Sequence, residues 1–401
     1  MQTQPDRQQG AALKQSAART FRKRRQAHNR VLTRLMIVII ALFALMNLFT
    51  KDKDFSDTEN RSLQQKPTMS METLTAGTWA SEKLDYYTDQ FFSRDGWISL
   101  NLRADRLLGL KEENGVLLGK DGYLIGYPEM PAEGEAQAMA TAISDFASAH
   151  TEYAVRVMVI PSASQILTEQ LPKNAPVQDQ LAAIDELYSD LSAGVQRIDA
   201  ATPLSSHADE YIYYKTDHHW TSLGAYYTFS TVAAQLGIDD PITDYNVYPV
   251  TTEFEGTLAS KVGSHSSQDT ITVYEPLGTD VQYYVTNPSD GSRKTSVYDI
   301  SKLSEKSKYN VFFGDNYPLL EIQTTANNDR VLLVFKDSYA NSFVPFLIPY
   351  YEKIIMIDPR YYYDSLSACL NSEQITDVLF LFSADTILTD DSTVGVLNSA
   401  A

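Results

Sequence analysis

Three residues in two short segments have the side chains that nucleophilic acyl transfer needs. Asp217 and His219 lie two positions apart in the stretch TDHHWT at 216–221, and Ser338 follows an apolar run about 120 residues later. A serine hydroxyl becomes a good nucleophile when an imidazole takes its proton, and a carboxylate fixes the tautomer of that imidazole. Side chains two positions apart in an extended segment project to the same side, which allows one hydrogen bond between them. The two segments therefore predict a Ser-His-Asp triad.

Other polar residues offer alternatives. A metal site at His218 and His219 is disfavoured, because adjacent side chains diverge and the chain has one cysteine and no HExxH motif. Ser162 and Ser164 follow another apolar run and stay open as rival nucleophiles. A group of tyrosines near the histidines predicts either core packing or a platform for sugar rings; these are Tyr211, Tyr213, Tyr214, Tyr226 and Tyr227.

The segments around these residues predict an α/β fold. Short apolar or β-branched runs alternate with helical patterns, including a helix predicted over 341–351; the runs lie at 155–160, 195–198, 331–335, 354–357 and 378–382. Such alternation is typical of a mostly parallel sheet covered by helices on both faces. Sites in these sheets form at the carboxyl ends of strands, and Ser338 follows one such end. Residues 238–329 predict an inserted antiparallel region.

The N-terminal segment predicts a membrane anchor. Residues 1–34 contain nine Lys or Arg and one acid, a net charge of +8, and the uncharged run 35–49 follows directly. That run spans about 23 Å as a helix, and residues 31–34 extend it toward the thickness of a bilayer core. The long basic region and the lack of a small-x-small site favour an uncleaved anchor over a secretory signal. Because basic residues stay cytoplasmic, residues 51–401 are predicted to lie outside the membrane.

The rest of the chain is acidic. Beyond residue 34 there are 24 bases and 50 acids, a net charge of −26, which disfavours nucleic acid as a partner. Composition and patterning predict the following organisation: a cytoplasmic basic segment at 1–30, a transmembrane anchor at 31–50, an extended stalk at 51–72, a helical and hairpin subdomain at 73–132, and an α/β domain at 133–401 with its insertion at about 238–329.

Several blocks of the sequence resemble one family of bacterial envelope proteins. The blocks stand in this order: ENRSL at 59–63, NGVLLGKDGYLI at 114–125, TDHHWT at 216–221 with GAYYTF after it, KDSYANSF at 336–343 and IDPRYY at 357–362. Together they resemble the DHHW family and extend over most of residues 55–385. That family is similar to the SGNH-hydrolase-like alginate O-acetyltransferases. The resemblance therefore implies an SGNH-like α/β domain.

The resemblance also implies roles for particular residues. The D-x-H-W motif of the alginate enzymes falls on Asp217, His219 and Trp220, and their nucleophile falls on Ser338. Positions with supporting or substrate-binding roles lie in the same blocks: His218, Trp220, Asp337, Tyr339, Asn341 and Arg360. Two positions depart from the pattern, since Lys336 stands where hydrolases have the Gly of Gly-Asp-Ser and His218 replaces a small polar residue.

The function implied by the resemblance is transfer of an acyl group, above all acetyl, to hydroxyls of a cell-envelope polysaccharide. No metal or organic cofactor is expected. The implied partner is a multi-pass membrane-bound O-acyltransferase that supplies the acyl group from inside the cell. Two alternatives stay open. With water as the acceptor the same triad gives an esterase, and a domain that kept the motif for structure alone would be a glycan-binding or assembly component.

Overall fold

A computed structural model of the protein describes residues 4–56, 61–265 and 267–399, with the backbone alone for residues 4–20. Glu59 and Asn60 of the ENRSL block lie outside the described residues. The described chain divides into two compact units, the first made of residues 4–56 and 61–98 and the second of residues from 99 onward.

The first unit contains one long helix followed by short elements. They are α1 (Gln4–Phe49), β1 (Phe55–Ser56), β2 (Arg61–Ser62), α2 (Met71–Thr75), α3 (Thr78–Asp89) and the beginning of α4 (Arg94–Leu107). Within α1, Phe21–Phe49 is long and apolar enough to cross a membrane, by length and composition. This agrees with the single apolar helix predicted at the N-terminus, and its orientation stays a prediction.

Described parts of the segment predicted to be an extended stalk bond to other elements of the first unit. β1 and β2 pair antiparallel, and the side chain of Gln90 bonds both the N–H and the carbonyl of Lys53, each at 2.9 Å. Arg61 forms a two-pronged ion pair with Asp89 at 2.6 and 2.9 Å. These bonds tie the polar segment to the end of α3, because its backbone and charged groups find partners there that its composition does not reveal.

The second unit is built around an eight-stranded mixed sheet. The strands of this unit are β3 (Glu112–Glu113), β4 (Val116–Leu118), β5 (Leu124–Gly126), β6 (Ala154–Ile160), β7 (Gln196–Asp199), β8 (Tyr245–Phe254), β9 (Asp269–Pro276), β10 (Tyr283–Asn287), β11 (Ser292–Lys294), β12 (Leu319–Thr324), β13 (Val331–Lys336), β14 (Lys353–Ile357) and β15 (Asp377–Ser383). The order across the large sheet is β11-β10-β12-β14-β13-β15-β6-β7. Strands from β14 to β7 in that order are parallel, as the βα alternation predicts.

The region predicted as an antiparallel insertion extends this sheet. β12 pairs antiparallel with β14, and β10 lies between β12 and β11 in antiparallel pairing. β8 and β9 form a separate antiparallel pair. The first part of the insertion therefore forms the separate β8–β9 pair. Its later part supplies β10, β11 and β12 at one edge of the large sheet.

The hairpin of the predicted 73–132 subdomain belongs to the second unit, whereas α2 and α3 belong to the first. β3, β4 and β5 form a small antiparallel sheet. Val116 and Leu124 pack in a small core with Leu258 and Val262, and Leu124 N–H donates to the Lys215 carbonyl at 2.7 Å. These contacts, all distant in sequence, assign the hairpin to the α/β domain.

Helices cover both faces of the large sheet. The helices of the second unit are α5 (Glu135–Ala149), α6 (Ala163–Ile166), α7 (Gln180–Asp190), α8 (Ala201–Ser206), α9 (Ser222–Val232), α10 (Thr257–Val262), α11 (Leu366–Ser372), α12 (Ala384–Thr389) and α13 (Ser392–Asn398). Of these, α10 packs against β4 and β5 of the small sheet. Leu333 and Phe335 of β13 pack in one core with α5 and α7. Leu332 and Val334 of the same strand point to the opposite core, which includes Phe229 of α9. This alternation buries the strand on both sides.

The helix predicted over 341–351 is wrong. The chain there forms three separate 3₁₀ turns, at Ser338–Ser342, Val344–Phe346 and Ile348–Tyr350. Pro345 and Pro349 each lie in one of the last two turns, and proline lacks the N–H that a continuous α-helix needs. The apolar spacing correctly indicates that the segment is buried, but it does not predict 3₁₀ turns in place of an α-helix.

Candidate active site

The segment 212–221, here called the histidine loop, is held by backbone bonds before α9. Tyr214 N–H donates to the His219 carbonyl at 3.2 Å, and Thr221 N–H donates to the Ile212 carbonyl at 2.9 Å. From β9, the carboxylate of Asp269 accepts the backbone N–H groups of Lys215 and Thr216 at 2.8 and 2.7 Å. The loop is therefore closed on itself and pinned at its start, which fixes the direction of its side chains.

Ser338 lies in the turn that directly follows β13, at the carboxyl end of a central parallel strand. The buried Asp337 anchors this turn with both carboxylate oxygens. One accepts Tyr339 N–H at 2.9 Å, and the other accepts the N–H and hydroxyl of Ser383 at 3.0 and 2.6 Å. Because Ser383 ends the neighbouring strand β15, these bonds tie the turn to two strand ends at once.

The structure brings Asp217, His219 and Ser338 into one hydrogen-bonded chain. Nδ1 of His219 lies 2.5 Å from Oδ1 of Asp217, and Nε2 lies 2.7 Å from Oγ of Ser338. A carboxylate at Nδ1 favours the tautomer with its proton there, which leaves Nε2 free to accept the serine proton. The geometry is that of a nucleophile with its general base.

Asp217 is held as a buried carboxylate. Its Oδ2 accepts the N–H and the hydroxyl of Thr257 at 2.8 and 3.0 Å. Burial alone would raise the pKa of Asp217, but the imidazoles of His218 and His219 and these hydrogen bonds bring the pKa well below its ordinary value. A Cβ on Gly256 would lie 2.2 Å from the Asp217 Cβ, so only glycine allows this approach.

Tyr309 contacts both reactive groups. Its ring stacks on the His219 imidazole with centroids 3.8 Å apart, and its hydroxyl donates to the Ser338 carbonyl at 3.1 Å. Burial raises the pKa of Tyr309, so the phenol stays protonated and remains a donor. One side chain from the insertion thus restrains the base and the nucleophile together.

These atoms open into a cleft of about 260 Å³. The histidine loop and Ser338 form one side of the cleft. The other side comes mainly from the insertion, with Glu255, Gly256, Thr257, Lys306, Tyr309, Asn310 and Asn316 among its lining residues. Arg360, which follows β14, also lines the cleft. The serine and imidazole are therefore open to a small substrate between two parts of the domain.

A buried lysine, Lys336, shares a carboxylate partner with the guanidinium of Arg360. Arg360 forms a fork with Asp358, Nε to Oδ1 at 2.8 Å and Nη2 to Oδ2 at 2.7 Å. Lys336 Nζ lies 3.6 Å from Asp358 Oδ2 and donates to Asn341 Oδ1 at 3.0 Å. Burial lowers the pKa of Lys336, and the nearby Asp358 opposes that change. The lysine that departs from the Gly-Asp-Ser pattern thus belongs to a polar cluster that holds Arg360.

The predicted supporting residues fall into two groups. His218 and Arg360 line the cleft. Four others are buried and bond to the protein instead: Trp220 Nε1–H donates to the Tyr339 carbonyl at 2.9 Å, Tyr339 donates its hydroxyl to the His218 carbonyl, and Asp337 and Asn341 make the bonds given above. The burial of these four side chains fits a role in holding other site residues rather than contact with substrate.

The rival serines occupy a different environment. The Ser162 hydroxyl lies 2.7 Å from Gln180 Oε1 and 2.9 Å from Asp385 Oδ1, with no imidazole among these partners. Ser164 is buried. Of the tyrosines near the histidines, Tyr213 and Tyr214 are fully buried in the core. Ser338 is the serine that the fold presents to His219.

Asp217, His218 and His219 offer possible metal ligands within 4.8 Å of one another. The same atoms have protein partners: Nδ1 of His219 is bonded to Asp217, and Nδ1 of His218 lies 2.8 Å from the Thr257 hydroxyl. A cation bound at these two Nδ1 atoms would displace both hydrogen bonds. That the site works without a metal stays a prediction.

Four residues at the site were not predicted from the sequence, namely Gly256, Thr257, Tyr309 and Asp358, and Lys336 was noted only as a departure from the Gly-Asp-Ser pattern. Gly256, Thr257 and Tyr309 lie in irregular sequence without a motif, and their relation to the histidines depends on how the insertion folds back. Lys336 and Asp358 lie inside blocks that carry the family resemblance, so their position next to other site residues was a usable signal.

Comparison with known proteins places the chain in a family. A protein-family model described as DHHW protein matches residues 135–357, more than half of the chain. A solved DHHW family protein from Eubacterium siraeum shares 25% sequence identity, with a TM-score of 0.61 over 71% of this chain and 96% of that one. PatB1 of Bacillus cereus shares 21% identity, with a TM-score of 0.58 over 70% of this chain and 97% of that one.

Among curated proteins, the chain is similar to a protein of Pseudomonas syringae pv. tomato named probable alginate O-acetylase AlgJ. The two are 24% identical over 186 residues, which is 44% of this chain. The match spans 46% of the AlgJ chain, less than half of its length. The fold, the family match and the Asp-His-His-Trp motif at the site agree. The chain belongs to the DHHW protein family.

Proposed function

We propose that this protein is a membrane-anchored, extracytoplasmic O-acyltransferase that acylates hydroxyls of a cell-envelope polysaccharide through Ser338, His219 and Asp217. The observation that carries the proposal is the unbroken chain from Asp217 through His219 to Ser338, with 2.5 and 2.7 Å separations, at an open cleft. A histidine with a purely structural role would not need a serine hydroxyl at its Nε2 in an accessible cleft.

In the first half-reaction, Oγ of Ser338 attacks the carbonyl carbon of an acyl donor while Nε2 of His219 takes the serine proton. A tetrahedral oxyanion forms. It collapses when the bond to the donor's leaving group breaks, and His219 returns the proton to that leaving group. The products are an acyl ester on Ser338 and the free donor alcohol or thiol. Asp217 holds the imidazolium that exists between these two proton transfers.

In the second half-reaction, a hydroxyl of the acceptor attacks the acyl carbon on Ser338. His219 removes the proton of that hydroxyl, and the second tetrahedral intermediate collapses as the bond to Oγ breaks. The proton then passes from His219 to Oγ, which restores the serine. Water in place of the acceptor hydroxyl gives the esterase reaction through the same ester, so the composition of the cleft decides between the two outcomes.

Arg360 is the charged donor that this proposal assigns to substrate oxygens. Arg360 lines the same cleft as Ser338, and the fork of its guanidinium to Asp358 uses two of its five N–H groups. Burial would lower the pKa of Arg360, but Asp358 outweighs it and raises the pKa, so the group stays cationic. A fixed cation near developing negative charge stabilises a transition state more than a solvated one.

The choice of acetyl and of a polysaccharide acceptor draws support from AlgJ, whose name describes an alginate O-acetylase. The membrane location draws support from Phe21–Phe49, which has the length and composition of a membrane span, and from the +8 net charge of residues 1–34. A multi-pass membrane-bound O-acyltransferase is the partner that would deliver acyl groups across the bilayer.

The test uses the full chain purified in detergent, with p-nitrophenyl acetate as donor and oligosaccharides as acceptors. The expected result is acetylated oligosaccharide as the main product and its loss in Ser338→Ala at unchanged folding. Acetate as the main product at saturating oligosaccharide would favour the esterase. Unchanged product formation in Ser338→Ala would remove the proposal, and glycan binding without any turnover would favour the binding component.

A further inference from the structure

The first unit presents apolar side chains beside the outer end of α1. Leu84, Tyr87, Phe91 and Trp97 expose 64, 52, 38 and 43% of their surfaces in the structure. Phe91 and Trp97 lie in the segment 90–97, which contains the turn between α3 and α4 and is here called the aromatic turn. Exposed apolar side chains grouped in one short segment mark a surface that something else covers.

The aromatic turn packs on the apolar part of α1. The ring of Phe43 lies 6.0 Å from the Phe91 ring and 5.6 Å from the Trp97 ring, centroid to centroid. Phe43 stands six residues before the end of α1 at Phe49, a distance of about 9 Å along a helix. If α1 spans the bilayer, the aromatic turn therefore lies beside hydrocarbon and not beyond the headgroups.

Asn47 supports the same placement. It is the one polar residue in the run 35–49, and an amide in hydrocarbon is costly unless it is hydrogen-bonded. Its Oδ1 accepts the backbone N–H of Phe92 at 2.9 Å. The amide of α1 and the backbone of the aromatic turn thus satisfy each other at the depth where lipid supplies no hydrogen bonds.

Charged groups of the same unit lie at the level where α1 ends. A cleft of about 200 Å³ is lined by Lys51, Lys53, Arg94, Asp89 and Asp95, and Phe91 also borders it. The indole of Trp97 donates its N–H to the Phe92 carbonyl at 3.1 Å. Charged residues next to tryptophan and phenylalanine are typical of protein segments at the boundary between lipid headgroups and acyl chains.

We propose that the aromatic turn is inserted in the outer leaflet beside α1, with lipid covering Phe91 and Trp97. This inference rests on the proposed membrane anchor and not on the proposed chemistry. Insertion would give the first unit a second attachment to the bilayer, since interfacial segments bury their apolar face about 5–10 Å into this boundary. The first unit would then be fixed against the membrane rather than hinged on a single helix.

The test is depth-dependent quenching of tryptophan emission in the full chain. The protein is extracted from cell membranes and reconstituted in nanodiscs whose lipids are brominated either near the headgroup or near the end of the acyl chain. The variants are wild type, Trp97→Phe and, as the matched control in the same unit, Trp79→Phe. Trp220 is fully buried in the second unit and serves as an internal unquenched background.

The expected result is strong quenching of the wild type by bromine near the headgroup and weaker quenching by bromine at the chain end. Trp79→Phe keeps that quenching, and Trp97→Phe loses most of it. Equal quenching of wild type and Trp97→Phe overturns the proposal, as does the absence of quenching, which would mean that the turn faces water or protein. Loss of residues 1–50 from the mature protein overturns it as well, while activity of Ser338 in the same samples would leave the proposed chemistry standing.

Discussion

The two sides of the cleft differ in what they contribute. The histidine loop and the turn at Ser338 contribute atoms that can react, the imidazole and the hydroxyl. The insertion contributes Thr257 and Tyr309, whose bonds hold Asp217 and Ser338 in position. Reactive groups thus come from elements of the parallel sheet and its adjoining loop, and their orientation depends on a region that folds back from far along the chain.

This difference indicates how the domain can vary. The proposed triad requires one arrangement of its side chains, whereas insertion residues that line the cleft without bonding Asp217 or Ser338 can differ without changing that arrangement. Glu255, Lys306 and Asn316 line that opposite side of the cleft. We expect the acceptor to be selected there, and variants on the two sides should separate turnover from recognition.

The largest effect is expected from Ser338→Ala. Removing Oγ abolishes the acyl ester, so transfer to oligosaccharide should fall by about three to six orders of magnitude. Ser162→Ala is the control, because Ser162 is a serine after another strand whose described partners include no imidazole. Initial rates with p-nitrophenyl acetate measure both. Retained activity in Ser338→Ala together with loss in Ser162→Ala would reverse the assignment.

Asp217→Asn is expected to lower turnover by about three to four orders of magnitude. An amide can donate its N–H to Nδ1 of His219, which would place the ring proton on Nε2 and remove the acceptor for the Ser338 proton. Thr257→Val serves as the matched variant, since it deletes one hydroxyl bond to Asp217 and leaves the carboxylate. If both variants lose the same activity, the role of Asp217 is positional and not tautomeric.

Gly256→Ala should lower the free energy of unfolding of the second unit by about 1–3 kcal/mol and reduce activity. The added Cβ would lie 2.2 Å from the Asp217 Cβ and 2.5 Å from Oδ2, and the Gly256 φ of −83° excludes backbone strain as the cause. Gly126→Ala is the control, because its Cβ would meet only Leu258 at 3.8 Å. Chemical denaturation compares the two. Equal stability would show that Asp217 is not held as closely as the structure indicates.

The smallest loss of activity is expected from Tyr309→Phe. The ring that stacks on His219 stays, and the hydroxyl that bonds the Ser338 carbonyl is lost, so activity should fall about two- to tenfold. Tyr309→Ala removes the ring too and should cost more. Steady-state kinetics of both variants provides the measurement. A loss in Tyr309→Phe as large as that in Tyr309→Ala would assign the hydroxyl a direct part in the reaction.

Much of the fold could be predicted from local patterns. The parallel strands were predictable because each is a short apolar run between helical segments, and β13 was placed correctly before Ser338. The 341–351 segment was not, because its apolar spacing suits a helix while Pro345 and Pro349 break the hydrogen bonds of one. The bonds between Gln90 and Lys53 have no sequence signal, so the attachment of this part of the predicted stalk to the end of α3 could not be predicted.

The proposed triad could be predicted for a different reason. Asp217, His219 and Ser338 have the side chains that acyl transfer needs, and the first two have the spacing that allows a hydrogen bond. The family resemblance supports the same three residues, because the blocks that contain them occur in the family's order. Tyr309 and Thr257 are ordinary residue types whose role depends on tertiary contacts. Lys336 is the least predictable, because lysine at the end of a strand is usually solvated and its burial requires Asp358 and Asn341 nearby.

The most direct test of the central claim is to trap the acyl enzyme. The full chain is mixed with p-nitrophenyl acetate, stopped with acid within one turnover and digested for peptide mass analysis. The account predicts one acetyl group, on Ser338, that disappears when acceptor oligosaccharide is added before the acid. Acetyl on another residue, or turnover to acetylated oligosaccharide without any acyl ester on Ser338, would contradict it.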